Sequence, residues 1–154
     1  MIVIETSVST KAKPATIWNR WIDLASWTEW NPTLISATLR GGLRVGSHGT
    51  LKMTVGQEAV FEVTRVEADK LFDLTSEVWG GTLTFSQRID VVGGVQRMTV
   101  KVTTDGWASW IYGYSMRYLL KRELPACLTQ LALLVEKDQV RAEQDLHDAR
   151  FKGQ

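Results

Sequence analysis

The sequence predicts an α+β fold, a curved antiparallel sheet of six or seven strands wrapped around one long C-terminal helix, with two short helices after the first strand. Three observations carry this. Residues 2–10 are β-branched and partly alternating, and an apolar stripe at helical spacing follows them directly. From residue 34 to residue 104, short alternating segments are separated by glycine turns. Near residue 105 the apolar period changes from that of a strand to that of a helix and holds to Val135.

Each element has its own reason. Ile2 to Thr10 reads as the first strand. Pro14 suits the first turn of a helix, where its missing N–H costs nothing. Ile17, Trp18, Trp21, Ile22 and Leu24 then share one face. Ser26 is expected to cap a second short helix, Trp27 to Trp30, with Glu29 in the capping-box position and Asn31-Pro32 ending it. Strands are expected at 34–39, at 50–55 (Leu51, Met53 and Val55 against Thr50, Lys52 and Thr54), at 59–67 and at 71–78. After Trp79-Gly80-Gly81, residues 82–91 put Leu83, Phe85, Gln87, Ile89 and Val91 on one face. After Gly93-Gly94, residues 95–104 do the same with Met98, Val100 and Val102. Neighbouring strands joined by turns this short pair antiparallel. From Ser109, Tyr112, Met116, Leu119, Leu120 and Leu124 recur at helical spacing, followed by Cys127, Leu128, Leu131, Leu134 and Val135. This is one long helix, expected to bend or break at Pro125, which removes a backbone hydrogen bond. Residues 136–154 lose the stripe and read as a solvated helix end and frayed tail. The expected layout is a single domain over 1–147 and a charged tail at 148–154.

Composition narrows the function. The 154 residues suit one domain with a sizeable core. Lys and Arg number 18 against 17 Asp and Glu, a formal charge of +1, with no basic stripe, which argues against a nucleic-acid partner. The N-terminus has neither a basic region nor a long apolar run, so no signal peptide is expected, and no segment is apolar enough to span a bilayer. Cys127 is the single cysteine, which fits a reducing compartment, and a cytoplasmic location is expected. Seven tryptophans demand a large core or a cavity wall.

Pro14-Ala15-Thr16-Ile17-Trp18, Asp23, Trp27, Trp30-Asn31-Pro32, Gly42-Leu43-Arg44-Val45-Gly46, the hairpin from Phe61 to Leu74 and the long final helix form a pattern over roughly residues 1–136. In it the chain resembles the polyketide cyclase/dehydrase and lipid-transport superfamily, which includes START domains and birch-pollen-allergen-like proteins. The resemblance implies a helix-grip fold with a deep cavity between sheet and helix that holds lipids, polyketides, sterols or other apolar molecules. It brings no shared catalytic motif, because only some members are enzymes.

The candidate chemistry is sparse. His48 and His147 are the only histidines, and no spacing resembles a metal site; neither metal nor cofactor is expected. His48, in the turn Gly46-Ser47-His48-Gly49, is a weak candidate base at a cavity mouth, against the plainer reading of an exposed loop histidine. Tyr112 is the other weak catalytic candidate. Cys127 lies on the apolar stripe and reads as a small buried residue rather than a nucleophile. The paired glycines resemble phosphate loops only superficially, since none joins a strand to a helix in a βαβ unit. The wall of a ligand site is expected from Trp30, Met53, Phe61, Leu74, Phe85, Gln87, Met98, Tyr112 and Met116, a set that would otherwise simply fill a core. Gln87 is the polar anchor if its apolar strand face points inward; Arg88 takes that place if the opposite face does. Before Pro125 the helix carries Tyr112 and Met116 and is expected to stand off the sheet; after it, closely spaced leucines are expected to pack tightly.

Three functions are open at this point. One is a binding or carrier protein for a small apolar molecule, monomeric or homodimeric. The second is a cyclase, aromatase or dehydratase acting on such a molecule. The third is a protein-interaction module with an exposed apolar patch.

Overall fold

The computed structural model describes residues 1–54 and 58–153, without the side chain of Tyr112. The order is β1 (Ile2–Thr10), α1 (Pro14–Ile22), a 3₁₀ helix (Leu24–Glu29), β2 (Leu34–Leu39), β3 (His48–Met53), β4 (Ala59–Glu67), β5 (Leu71–Val78), β6 (Gly81–Val92), β7 (Val95–Asp105) and α2 (Ser109–Lys152). All pairings are antiparallel, in the order β1-β7-β6-β5-β4-β3-β2. Five consecutive hairpins build β2 through β7, and β1 adds to the far side of β7. The chain therefore passes from one sheet edge to the other through α1 and the 3₁₀ helix. The strands follow the expected segments closely; the expected Val55 lies outside the described residues.

Register decides which side chains meet. Gln87 sits opposite Phe72 and Val100, Phe85 opposite Leu74 and Val102, and Leu83 opposite Ser76 and Thr104. These residues share the inner face, because side chains alternate along each strand. Gln87 is half-buried and Arg88 exposed, so the inward parity belongs to Gln87.

The short helices supply an aromatic plug for the sheet. Trp21 meets Phe72 edge-on at 5.2 Å, and Trp27 stacks over the same ring at 6.1 Å. Trp30 follows Trp27 at 5.9 Å. Such pairs contribute about 0.5–1.5 kcal/mol each beyond their burial. Ser26 is not the cap expected of it. It lies inside the 3₁₀ helix, which begins at Leu24, and its hydroxyl donates to the Asp23 carbonyl at 2.8 Å. Glu29 pairs instead with Arg20.

α2 is one helix through Pro125, without the break that was one expected outcome there, and the hydroxyl of Thr129 donates to the Pro125 carbonyl at 2.9 Å. It also continues to Lys152 instead of fraying after Glu136, a length of about 66 Å at the helical rise. Contacts to the β1–α1 segment hold it down. Glu136 accepts from the Thr10 hydroxyl and the Lys11 backbone N–H, each at 3.2 Å. Gln139 accepts from the Thr16 hydroxyl at 2.7 Å. The Arg20 guanidinium grips both carboxylate oxygens of Asp138, at 2.5 and 3.0 Å. Beyond Gln139 all described residues are exposed, and the last turn carries Arg150 and Lys152, which suit the negative end of a helix.

Candidate functional site

Between the inner face of the sheet, the 3₁₀ helix and α2 lies a cavity of about 820 Å³. That is within the range of small-molecule sites, ~300–1,000 Å³. Its walls come from alternate positions on β3 to β7, which the curl of the sheet aims at one point. Leu51 and Met53 come from β3, Phe61 from β4, Leu74 from β5, Leu83, Phe85 and Gln87 from β6, and Val100 from β7. Trp27, Trp30 and Leu34 close one side, and Met116, Leu124, Cys127 and Leu128 of α2 form the roof.

Of the residues expected from sequence, Trp30, Met53, Phe61, Leu74, Phe85, Gln87 and Met116 are gathered in this wall. Met98 is not among them. It is fully buried, between Val8 and Ile89 across the neighbouring strands, one inward position beyond the lining residue Val100. It lies inside the packed core and not at the cavity wall. The side chain of Tyr112 lies outside the described residues. The expected division of the helix at Pro125 falls elsewhere. The roof extends past the proline to Leu128, and tight packing begins with Leu131 and Val135, both fully buried. Cys127 and Leu128, expected in the tightly packed half after Pro125, and Leu124 before it line the cavity with Met116, and their spacing from Met116 is the signal that they share its face.

His48 borders the cavity but does not enter it. Its side chain is 64% exposed and faces Glu62 across the β3–β4 pair at 4.0 Å. The neighbouring Gly49 explains this. A Cβ there would lie 2.5 Å from the Phe61 ring and 2.2 Å from the Thr38 carbonyl, so Gly49 takes the inward position and leaves room for Phe61. His48 must then point the other way.

The wall is apolar with a few polar atoms set in it. The Trp30 indole N–H and the Gln87 Oε1 are buried with no hydrogen-bond partner among the described residues. A group in that state costs about 1–3 kcal/mol. The Gln87 side chain lines the cavity, and its terminal torsion is soft, so a turn of the amide can offer either end to a guest. Cys127 stays a thiol: burial, and then the negative charge of Glu123, push its pKa up to about 11. Glu58, Glu62 and Glu77 lie at the border with His48. Among the described residues no three His, Cys, Asp or Glu side chains converge as metal ligands would.

This geometry can be set against known proteins. The family model for polyketide cyclase/dehydrase and lipid transport matches residues 1–136. The chain belongs to that family. No curated protein matches the sequence. Among solved structures, the family fold is shared with Ara h 8.0201, at 12% identity and a TM-score of 0.67 over 87% of this chain and 97% of that one. Protein MLL2253 from Mesorhizobium loti is similar at 12% identity and a TM-score of 0.68, over 87% of this chain and 96% of that one. The di-domain ARO/CYC StfQ from the steffimycin biosynthetic pathway reaches a TM-score of 0.72 at 8% identity, over 90% of this chain and 52% of that one. At such identities the likeness is one of fold, a seven-stranded curled sheet closed by a long C-terminal helix.

Proposed function

We propose that this member of the family binds and carries a small, largely apolar molecule that bears one polar group. The observation that supports it most is the cavity of about 820 Å³, walled by aromatic and aliphatic side chains with Gln87 among them. Burial drives binding, at about 0.8 kcal/mol for each CH₂ taken from water. Gln87 and the Trp30 N–H orient the polar end. Trp30, Met53, Phe61, Leu74, Phe85 and Met116 are the proposed contact residues.

A cyclase or dehydratase reading draws on the fold shared with StfQ and on the His48–Glu62 pair at the border. It needs an acid–base group that reaches the guest. His48 is mostly exposed, and the Cys127 thiol is held protonated. Binding without turnover is therefore the better-supported reading. The buried thiol also fits a reducing compartment, and the cytoplasm is the proposed location.

Native mass spectrometry of protein purified from its host tests the proposal. A co-purifying apolar compound at one per chain is expected, as is saturable binding of an apolar fluorescent dye by stripped protein. Absence of both would refute it. Conversion of the bound compound, lost in His48→Ala, would favour the enzyme.

A further inference from the structure

Three of the seven tryptophans are not core. Trp79, Trp107 and Trp110 lie on the surface with Tyr114 and Tyr118, the five side chains ranging from 64% to 87% exposed. Trp79 and Trp107 touch, and Trp110 stands in the first turn of α2, three positions after Trp107. The β5–β6 turn touches the link between β7 and α2 backbone to backbone: a Cβ on Gly106 would lie 2.4 Å from the Gly80 carbonyl, and the Ala108 N–H donates to that carbonyl at 3.2 Å. This contact sets Trp79 and Trp107 edge to face at 4.6 Å. Trp110, Tyr114 and Tyr118 continue the patch at four-residue steps along α2, the spacing of neighbours on a helix face. Ile111 and Leu119 are exposed nearby.

The charge beside the rings has one sign on the helix. Residues 109–122 carry Arg117, Lys121 and Arg122 and no carboxylate. Arg122 pairs with Glu123 at 3.8 Å. Arg117 and Lys121 have no ion-pair partner among the described residues. They line a second cleft, of about 480 Å³, between α2 and β1, with Ile2, Ile4, Pro125 and the carboxylate of Glu5. Glu77 and Asp105 stand at the strand ends, and Asp105 caps the Gly106 N–H at 2.8 Å. The main cavity reaches Val78 and Met116, the chain neighbours of Trp79 and Arg117.

We infer that this face docks on an anionic lipid bilayer and sets the cavity end lined by Val78 and Met116 against the membrane. Tryptophan and tyrosine have an apolar body and a polar tip and settle at the headgroup level, while basic residues beside them meet anionic lipid. A patch made of five such rings flanked by two unpaired cations matches that environment. The inference does not depend on the carrier reading.

The test uses sedimentation of the whole protein with phosphatidylcholine vesicles, with and without phosphatidylserine, and the wavelength of tryptophan emission. Wild-type protein should pellet with the anionic vesicles and shift its emission to the blue. Arg117→Gln and Lys121→Gln should each weaken partition about fivefold. Trp110→Ser combined with Tyr114→Ser should abolish pelleting; all four positions are exposed, and circular dichroism checks the fold. Dye binding in the cavity, measured on the same variants, should stay intact, which separates failure of this surface from failure of the cavity. Failure of the wild type to pellet, equal pelleting with both vesicle types, or unchanged partition of the variants would overturn the inference. So would a dimer in sedimentation velocity that Trp110→Ser dissolves, because the patch would then be covered by a second copy.

Discussion

Replacing Gln87 with leucine takes an amide out of the inner face of β6 at almost constant size. The wild-type Oε1 is buried without a partner among the described residues, a state that costs about 1–3 kcal/mol. Leucine removes that cost and sets an aliphatic group between Phe72 and Val100, its neighbours across the strands. Against this stands the altered shape of the branched side chain, which costs up to ~1.5 kcal/mol in a core and less at a cavity wall. A net gain of about 1 kcal/mol is expected, or about 2–4 °C in Tm for a chain of this length. The same change should alter selectivity. Hydroxypyrene and methylpyrene differ by one polar group, and a neutral hydrogen bond contributes about 0.5–1.5 kcal/mol net. Wild-type protein should therefore favour hydroxypyrene over methylpyrene by about twofold to twelvefold more than Gln87→Leu does, and the variant should bind methylpyrene at least as well. Urea unfolding and fluorescence titration of both proteins measure the two effects. A less stable variant would show that the amide is already satisfied in the fold, and a retained preference would show that the polar end of the guest lies elsewhere. Either result refutes the role given to Gln87.

Met98→Trp should destabilise by about 1–3 kcal/mol in equilibrium unfolding and leave dye affinity unchanged, because Met98 is fully buried outside the cavity wall. The Cys127 thiol should react with a bulky thiol reagent no faster than the protein opens, since it is buried and protonated at neutral pH. Its pKa is raised from 9 unfolded to about 11 folded, so between those values the unfolded chain holds fewer protons. Stability should then fall by roughly 2 kcal/mol from pH 9 to 11, and less so in Cys127→Ala, as read from urea unfolding across that range. Arg20→Ala should cost about 1–3 kcal/mol by loosening α2 from α1, and Arg20→Lys should restore only part of it, because an ammonium cannot grip both oxygens of Asp138; amide exchange in 136–152 should rise in step.

Much of the fold was legible because its signals are local. Alternation and glycine turns placed all seven strands, and the change of period placed the start of α2. The inward parity of Gln87 over Arg88 could also be read, since Leu83, Phe85 and Ile89 outnumber any apolar set on the other face. The end of α2 was not legible. Residues 136–139 look like a solvated tail, yet Glu136, Asp138 and Gln139 bond Thr10, Lys11, Arg20 and Thr16, more than a hundred positions earlier in the chain.

The period of each strand and helix is enough to tell which side chains on it point inward. Which of those inward side chains meet a neighbour and which meet empty space is settled by the packing of distant elements. Met98 and Val100 are alike in sequence, on one strand face two residues apart, but the first is sealed in core and the second lines the cavity. Six of the seven tryptophans divide in the same way, Trp21, Trp27 and Trp30 being buried under the sheet and Trp79, Trp107 and Trp110 standing on the surface, while Trp18 is half-buried. Periodicity sets direction alone, whereas the gap between helix and sheet is set by the curl of seven strands and by where α2 is tied down, distances that no local window of sequence contains.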